Sequence, residues 1–422
     1  MQRTLEQWLD YQLRTHPQQI AMGLDRVAEV ARRLGLARPA RQVATVAGTN
    51  GKGSTVAFME AIARAAGLRV GAFTSPHLLR YNERVRVDGS EVDDATLVAA
   101  FEAIEAARAD IPLTYFEFGT LAALWVFARA DLDLALLEVG LGGRLDAVNI
   151  VDADVAVITT VDLDHQDYLG TDRESIGAEK AGILRAGRPC VLAERDPPSS
   201  VLQAAYRLGA PAIRGHSDYL VERGEAGWTW REPGYALDLP LPALDAPAQL
   251  DNAAAAIAAL RALPLEVADA AIRAGVASAR VPGRLQCLQA APELVLDVAH
   301  NPQAAAQLAD WLQAHPRPTR AVFSALADKD IEAIAGLLDP WLLGWHVAGI
   351  GDAGTRGLDG AALAARMATT VAGNRLRVHD RVGAALAAAL AESTTAERVL
   401  VFGSFHTVAD ALRAHAAGAG RV

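Results

Sequence analysis

The chain has 422 residues, a formal net charge of −10 and a composition that is 51% hydrophobic and 21% charged, values typical of a globular protein with two or three domains. The acidic balance excludes sequence-independent nucleic-acid binding, which needs a basic face, and no apolar run approaches the roughly 18 residues of a membrane span. Two cysteines, Cys190 and Cys287, offer neither a disulfide framework nor a zinc site. Met1 to Asp10 lacks the apolar centre of a signal peptide, so a cytoplasmic monomer without nucleic-acid or membrane partners is expected. Only three of the forty Lys and Arg residues are lysines: Lys52, Lys180 and Lys329. Arginine does not readily lose its proton or present a compact ammonium, so each lysine is weighed individually.

In chain order, β-rich apolar runs at Gln42–Ala47, Arg69–Phe73, Leu132–Val139, Asp154–Thr160 and Pro189–Ala193 alternate with helical patterns. The helices are expected at Ser54–Ala66, Asp94–Arg108, Phe116–Arg129 and Arg173–Arg185. This alternation predicts an α/β fold, a P-loop-type mostly parallel sheet with helices on both faces. Tyr219–Leu239, with two Trp and alternating polarity, reads as a small antiparallel edge sheet. Helices follow from Asp251 and Glu266, and then Val281-Pro282-Gly283-Arg284 breaks the pattern. Beyond it the alternation restarts at Leu294–Val298 and continues to a helix from Thr407. The expected division is 1–282, a hinge linker at 283–292, and a second, Rossmann-like α/β domain at 293–422.

Between the strand ending at Ala47 and the next helix stands Gly48-Thr49-Asn50-Gly51-Lys52-Gly53-Ser54-Thr55. A phosphate loop needs glycines that turn successive N–H groups inward, a helix N-terminus, a lysine for the outer phosphates and a hydroxyl near the metal. All are present in order, and Lys52 is a point charge suited to β- and γ-phosphates. Thr49, Asn50, Gly51, Lys52, Gly53 and Ser54 are thus the candidate nucleotide contacts. The strict G-x-x-x-x-G-K-[ST] string is not matched, because Gly53 intervenes; the bland alternative is a glycine turn.

Three other strand ends bring polar groups to the same edge: Ser75, Glu138 and His165. Oxygen ligands with waters suit Mg²⁺, although each residue taken singly is better explained as a cap or turn, and it is their coincidence with a phosphate loop that shifts the balance. Lys180, in Glu179-Lys180-Ala181-Gly182-Ile183, reads either as a surface pair with Glu179 or as a buried amine packed beside Gly182. Pro282-Gly283-Arg284-Leu285 supplies an arginine that reaches phosphates if the domains close. Asp297 of Asp297-Val298-Ala299-His300-Asn301-Pro302 is able to accept from a ribose hydroxyl or from Arg284. The same segment also reads as a helix start with Asn301 at the N-cap and Pro302 at N1.

The variant loop Gly-Thr-Asn-Gly-Lys-Gly-Ser resembles that of the ATP-dependent amide ligases comprising the Mur ligases and the folylpolyglutamate synthases, and Asn50 favours the folate branch. From Gly23-Leu24-Asp25-Arg26-Val27 to Gly403-Ser404-Phe405-His406 the chain is similar to bifunctional dihydrofolate synthase/folylpolyglutamate synthases. The resemblance implies ligation of L-glutamate to dihydropteroate and reduced folates through an acyl phosphate. It implies ATP, Mg²⁺ and a monovalent cation as cofactors. Lys52, Lys180 and His165 would be catalytic, with Lys180 carbamylated by CO₂ and Ser75, Glu138 and His165 on the metal. Asn252, Arg284, Asp297 and His300 would join the nucleotide set. Leu113-Thr114-Tyr115-Phe116-Glu117 resembles the pterin-contacting stretch, giving Thr114, Tyr115, Phe116 and Glu117, with flat faces on Tyr115 and Phe116. The resemblance adds Ala21, Met22, Gly23 and Leu24, and Leu145, Asp146 and Ala147. One departure stands out: Ala325-Leu326-Ala327 precedes Asp328-Lys329 where the family usually carries a His. Two alternatives stay open, a Mur-type cell-wall amino-acid ligase and an ATP-dependent switch that ligates nothing.

Overall fold

Strands buried on both faces read as near-continuous apolar runs, and the centre of the structure is built from such runs. The computed structural model describes residues 3–16, 21–36, 38–243, 246–350 and 357–419. The chain divides into two units, Met1–Ala243 with Gln249–Arg280, and Leu244–Ala248 with Val281–Val422.

In the first unit β1 (Gln42–Ala47), β2 (Val70–Phe73), β3 (Val85–Val87), β4 (Ser90–Glu91), β5 (Leu134–Glu138), β6 (Val155–Ile158), β7 (Cys190–Leu192) and β8 (Ala212–Arg214) form one sheet. Their order is β4-β3-β2-β5-β1-β6-β7-β8. Only β3 and β4 pair antiparallel; the remaining pairs are parallel. The C-terminal ends of β1, β2, β5 and β6 therefore share one edge, where open α/β sheets place their ligands. Tyr219–Leu239 folds largely as expected into its own antiparallel sheet of β9 (Leu220–Arg223), β10 (Gly227–Glu232) and β11 (Tyr235–Pro240). The helix Lys52–Ala65 packs against Gln249–Arg261 and Asp269–Ser278. Two N-terminal helices, Leu5–Thr15 and Asp25–Arg33, pack onto Asp94–Arg108 and Tyr115–Phe127. Phe73, Phe101, Phe118 and Phe127 lie in this unit's core.

The second unit holds a six-stranded sheet of β12 (Gln286–Ala290), β13 (Glu293–Leu296), β14 (Thr319–Phe323), β15 (Gly344–Ala348), β16 (Leu376–His379) and β17 (Arg398–Phe402), ordered β12-β13-β17-β14-β15-β16. Its core includes Phe323, Trp345 and Phe402. The structure corrects the hinge at 283–292: Gln286–Ala290 is a strand paired antiparallel with β13. It is an edge strand carrying Gln286 and Gln289, half-buried along its length, so it lacks the apolar signal of the buried strands.

Candidate active site

The loop after β1 is fastened to the loop after β6. Thr49 N donates to Thr160 O at 2.7 Å, and the Thr49 hydroxyl donates to Asp162 O at 3.0 Å. Asn50 N donates to Thr160 Oγ1 at 3.0 Å and Thr159 Oγ1 to Asn50 O at 2.6 Å. Gly51 is left-handed at φ +86°, and a Cβ there would lie 2.4 Å from Asn252 Oδ1. Only glycine suits that backbone and that approach. Asn252 is itself aimed by donation of its Nδ2 to Gln249 Oε1 at 3.1 Å. The helix that begins at Lys52 has no side-chain cap, so its first amides remain available to an anion. Lys52 Nζ lies over the loop, donating to Gly48 O at 2.9 Å and Thr49 O at 3.2 Å.

Glu138 ends β5 and is 4% exposed. Its Oε2 accepts from Ser75 N at 3.0 Å, and a Cβ on Gly53 would stand 3.6 Å from the same oxygen. Three predicted residues from three elements thus meet beside the phosphate loop. His165 is a left-handed residue at φ +51° ahead of the short helix Gln166–Leu169, with Nε2 3.9 Å from Asp164 Oδ1. Among the described residues no group of three His, Cys, Asp or Glu forms a ready-made metal cage. A carboxylate such as that of Glu138 and a hydroxyl such as that of Ser75 are oxygen donors of the kind a hard cation takes.

Lys180 is not a surface lysine. The helix Arg173–Ala181 is capped by Asp172, which accepts from Ser175 N at 2.8 Å. At its far end Glu179 turns outward to Arg144 at 2.8 Å, while Lys180 is 3% exposed. Gly182 permits this, because a Cβ there would fall 2.3 Å from Arg144 Cβ. Burial, followed by the nearby Lys52 charge, lowers the Lys180 pKa to about 7 against partial opposition from Asp164. Roughly half of the side chain is then neutral near pH 7, against roughly one in three thousand for an ordinary lysine.

Asp146 is 5% exposed and accepts from Gly140 N at 3.0 Å, Leu141 N at 2.8 Å and Val148 N at 3.1 Å. Burial raises its pKa to about 6 despite those bonds and the Lys52 charge. Leu145, Asp146 and Ala147 lie at the turn Ala147–Ile150, against which the helices Asp25–Arg33 and Tyr115–Phe127 both pack. Thr114 and Glu117 form a capping box: Thr114 N donates to Glu117 Oε2 at 2.7 Å and Glu117 N to Thr114 Oγ1 at 3.2 Å. Tyr115 meets Tyr81 edge-on at 5.7 Å, and Phe116 meets Phe73 at 5.8 Å. Gly140 leaves room for the Phe116 ring, which stands 2.6 Å from where a Cβ would be. The Ala21–Leu24 segment, the Thr114–Glu117 cap and the Leu145–Ala147 turn therefore adjoin through shared helices.

In the second unit Asp297 is buried, accepting from Leu285 N at 2.9 Å and Ala299 N at 2.8 Å. Burial raises its pKa, with the Arg284 charge opposing. The Arg284 guanidinium lies 5.5 Å from the Phe405 ring centre, and the His300 ring 6.4 Å from that of Phe405. Asn301 caps the helix Pro302–Ala314 by accepting from Ala304 N at 2.9 Å, so the helix-start reading of this segment describes Asn301. Lys329 is buried, with Nζ 3.8 Å from Asp328 Oδ2.

Sequence reasoning passed over Thr159 and Thr160, which hold the phosphate loop, and Gln249, which aims Asn252. Paired hydroxyls at a strand's C-terminal end were a readable signal for the first two. Gln249 had none.

The description of the Mur ligase middle domain matches residues 46–260, and that of the Mur ligase glutamate ligase domain matches residues 283–405. The chain is 47% identical over 408 residues to the dihydrofolate synthase/folylpolyglutamate synthase of Escherichia coli, covering 96% of this chain and 94% of that protein. The enzyme of the same name from Haemophilus influenzae is 39% identical, with 96% of each covered. Among solved structures, E. coli FolC in complex with DHPP and ADP superposes with a TM-score of 0.94 at 45% identity, covering 99% of both chains. A bifunctional folylpolyglutamate synthase/dihydrofolate synthase with Mn, AMPPNP and L-glutamate bound gives 0.90 at 45% identity, covering 100% of this chain and 98% of that one.

Proposed function

The chain belongs to the Mur ligase family and, within it, to the dihydrofolate synthase/folylpolyglutamate synthases, and from that premise we propose how its residues run the reaction. The protein is an ATP-dependent ligase that adds L-glutamate to dihydropteroate, giving dihydrofolate, and to tetrahydrofolates, lengthening the polyglutamate tail. A carboxylate is a poor electrophile, so it is first activated: its oxygen takes the γ-phosphoryl group of ATP and ADP leaves. The α-amino group of glutamate then attacks the acyl carbon, the bond to phosphate breaks, the amine loses its proton and an amide remains.

Lys52 and the loop amides from Thr49 to Ser54 stabilise the charge on the transferring phosphoryl group, Lys52 exchanging its two loop carbonyls for phosphate oxygens. Ser75, Glu138 and His165 would hold Mg²⁺, which would supply neutralisation of phosphate charge. Asn252, Arg284, Asp297 and His300 are the further nucleotide contacts in this reading. The pterin lies against Ala21, Met22, Gly23 and Leu24, Thr114, Tyr115, Phe116 and Glu117, and Leu145, Asp146 and Ala147. In this reading the enzyme works in the cytoplasm, where free cysteines such as Cys190 and Cys287 persist, and as a monomer.

Buried Lys180 carries this reading. The ammonium first gives up one proton; the neutral amine then adds to CO₂, forming an N–C bond as a C=O π pair moves onto oxygen, and a second proton leaves nitrogen, so the side chain ends as an anionic carbamate. That carbamate helps hold the magnesium or the γ-phosphate. Arginine cannot do this. Phosphate release is the assay: with ATP and glutamate it is expected on adding dihydropteroate and, in a second arm, tetrahydrofolate. Glutamate-dependent release with no pterin present would contradict the reading, and stimulation by no acceptor would favour the switch.

A further inference from the structure

Residues 21–24 form neither helix nor strand, yet the pterin-site reading needs them in a fixed place. The helix that follows, Asp25–Arg33, has no side-chain cap to fix the entering chain. Arg26, in its first turn, does that work. Arg26 Nη2 donates to Ala21 O at 2.9 Å and to Glu117 Oε1 at 3.0 Å. The other Glu117 oxygen closes the cap of the helix Tyr115–Phe127 by accepting from Thr114 N. One buried carboxylate therefore fixes two walls, the start of the aromatic helix directly and the Ala21–Leu24 segment through Arg26.

Two further observations separate this fork from an ordinary ion pair. Glu117 is 4% exposed in its side chain and Arg26 27%, so the pair is shielded far better than a surface bridge. Arg26 Nε is buried with no hydrogen-bond partner among the described residues. The guanidinium is therefore oriented through its Nη2 bonds to Ala21 O and Glu117 Oε1.

We propose that Arg26 is a positioning residue for the acceptor acid: tied to Glu117, it holds Ala21–Leu24 in the conformation that receives the pterin. The proposal rests on the pterin-site reading above. Without the fork the segment samples other conformations, and apparent affinity falls by the fraction of molecules still competent. The acceptor's KM should rise while those of ATP and glutamate hold.

The test is steady-state kinetics on the full chain with Arg26→Gln, Glu117→Gln, the double variant and Phe116→Leu, alongside their melting temperatures. Glutamine at position 117 keeps the capping box but removes the charge that orients Arg26. Both single variants are expected to raise the KM for dihydropteroate by on the order of 10-fold with the ATP KM unchanged, and Arg26→Gln, which touches no substrate in this reading, should keep kcat within about 2-fold. The double variant should be no worse than the worse single, as for two residues acting through one link. A KM raised by Phe116→Leu but not by Arg26→Gln overturns the proposal and leaves the pterin site standing. If neither moves it, the pterin-site reading fails and this inference falls with it. An equal rise in all three KM values, or a lowered melting temperature with unchanged kinetics, also overturns it by making Arg26 merely structural.

Discussion

A lysine buried beside another lysine is costly, because both desolvation and repulsion act against its charge. Lys180 bears both, which gives a pH signature that can be worked out. Its folded pKa is about 7 and its ordinary value 10.5. Between those values the unfolded chain holds a proton that the folded chain lacks, so stability rises with pH across that window. Below pH 7 both states are protonated and the penalty is full and constant. Lys180→Met removes this contribution. In CO₂-free buffer the melting temperature of the parent should therefore climb relative to Lys180→Met as the pH is raised from 7 towards 10.5; parallel curves would mean that Lys180 keeps an ordinary pKa. Function gives a second test. Lys180→Arg keeps the charge but cannot form a carbamate, so kcat should fall by on the order of 100-fold or more, a loss of about 3 kcal/mol of transition-state stabilisation, with ATP binding retained in a nucleotide titration. Full activity in that variant would remove the carbamate from the mechanism.

At the level of elements, the strand–loop–helix that begins at β1 concentrates the nucleotide chemistry, and Gly51 is its most constrained point. Gly51→Ala places a side chain in left-handed backbone, costing roughly 1–2 kcal/mol, and drives a Cβ to 2.4 Å from Asn252 Oδ1. The KM for ATP should rise by on the order of 10-fold while circular dichroism stays that of the parent. Adding Asn252→Ala relieves the clash but not the left-handed strain, so it should recover only part of the lost melting temperature and not the KM, since Asn252 is itself a proposed nucleotide contact; an unchanged KM in Gly51→Ala would show that the loop shape does not matter. Elements of this kind were legible because their physics is local. β1, β5 and β6 are apolar runs, the glycines and Lys52 fall between strand and helix, and Lys180 stands out in a chain that otherwise uses arginine. Three features escaped for opposite reasons. β12 is a half-buried edge strand with two glutamines, so it looks like the linker it was expected to be. The two N-terminal helices precede the first strand and belong to no βα alternation. Arg26 is one arginine among many, and only the three-dimensional pairing with Glu117 distinguishes it.

Across the whole molecule, each unit has its own apolar core. Phe402 touches Phe323 at 4.9 Å and Trp345 at 5.9 Å between ring centres, all within the second unit, whereas Phe73, Phe101, Phe118 and Phe127 belong to the first. The chain passes between the units at Leu244–Ala248 as well as at Val281. Multi-domain chains depart from two-state unfolding when their cores melt independently, so calorimetry of the protein without nucleotide should resolve two transitions, with a calorimetric enthalpy well above the van't Hoff value. Phe402→Ala empties part of one core and costs about 3–5 kcal/mol; it should lower one transition by several degrees and leave the other in place. An ATP analogue with Mg²⁺ should instead raise most the transition that Phe402→Ala leaves alone, because the phosphate loop and Glu138 lie in the first unit and a ligand stabilises the state that binds it. If one sharp transition moves as a whole in both experiments, the two cores melt as a single cooperative body.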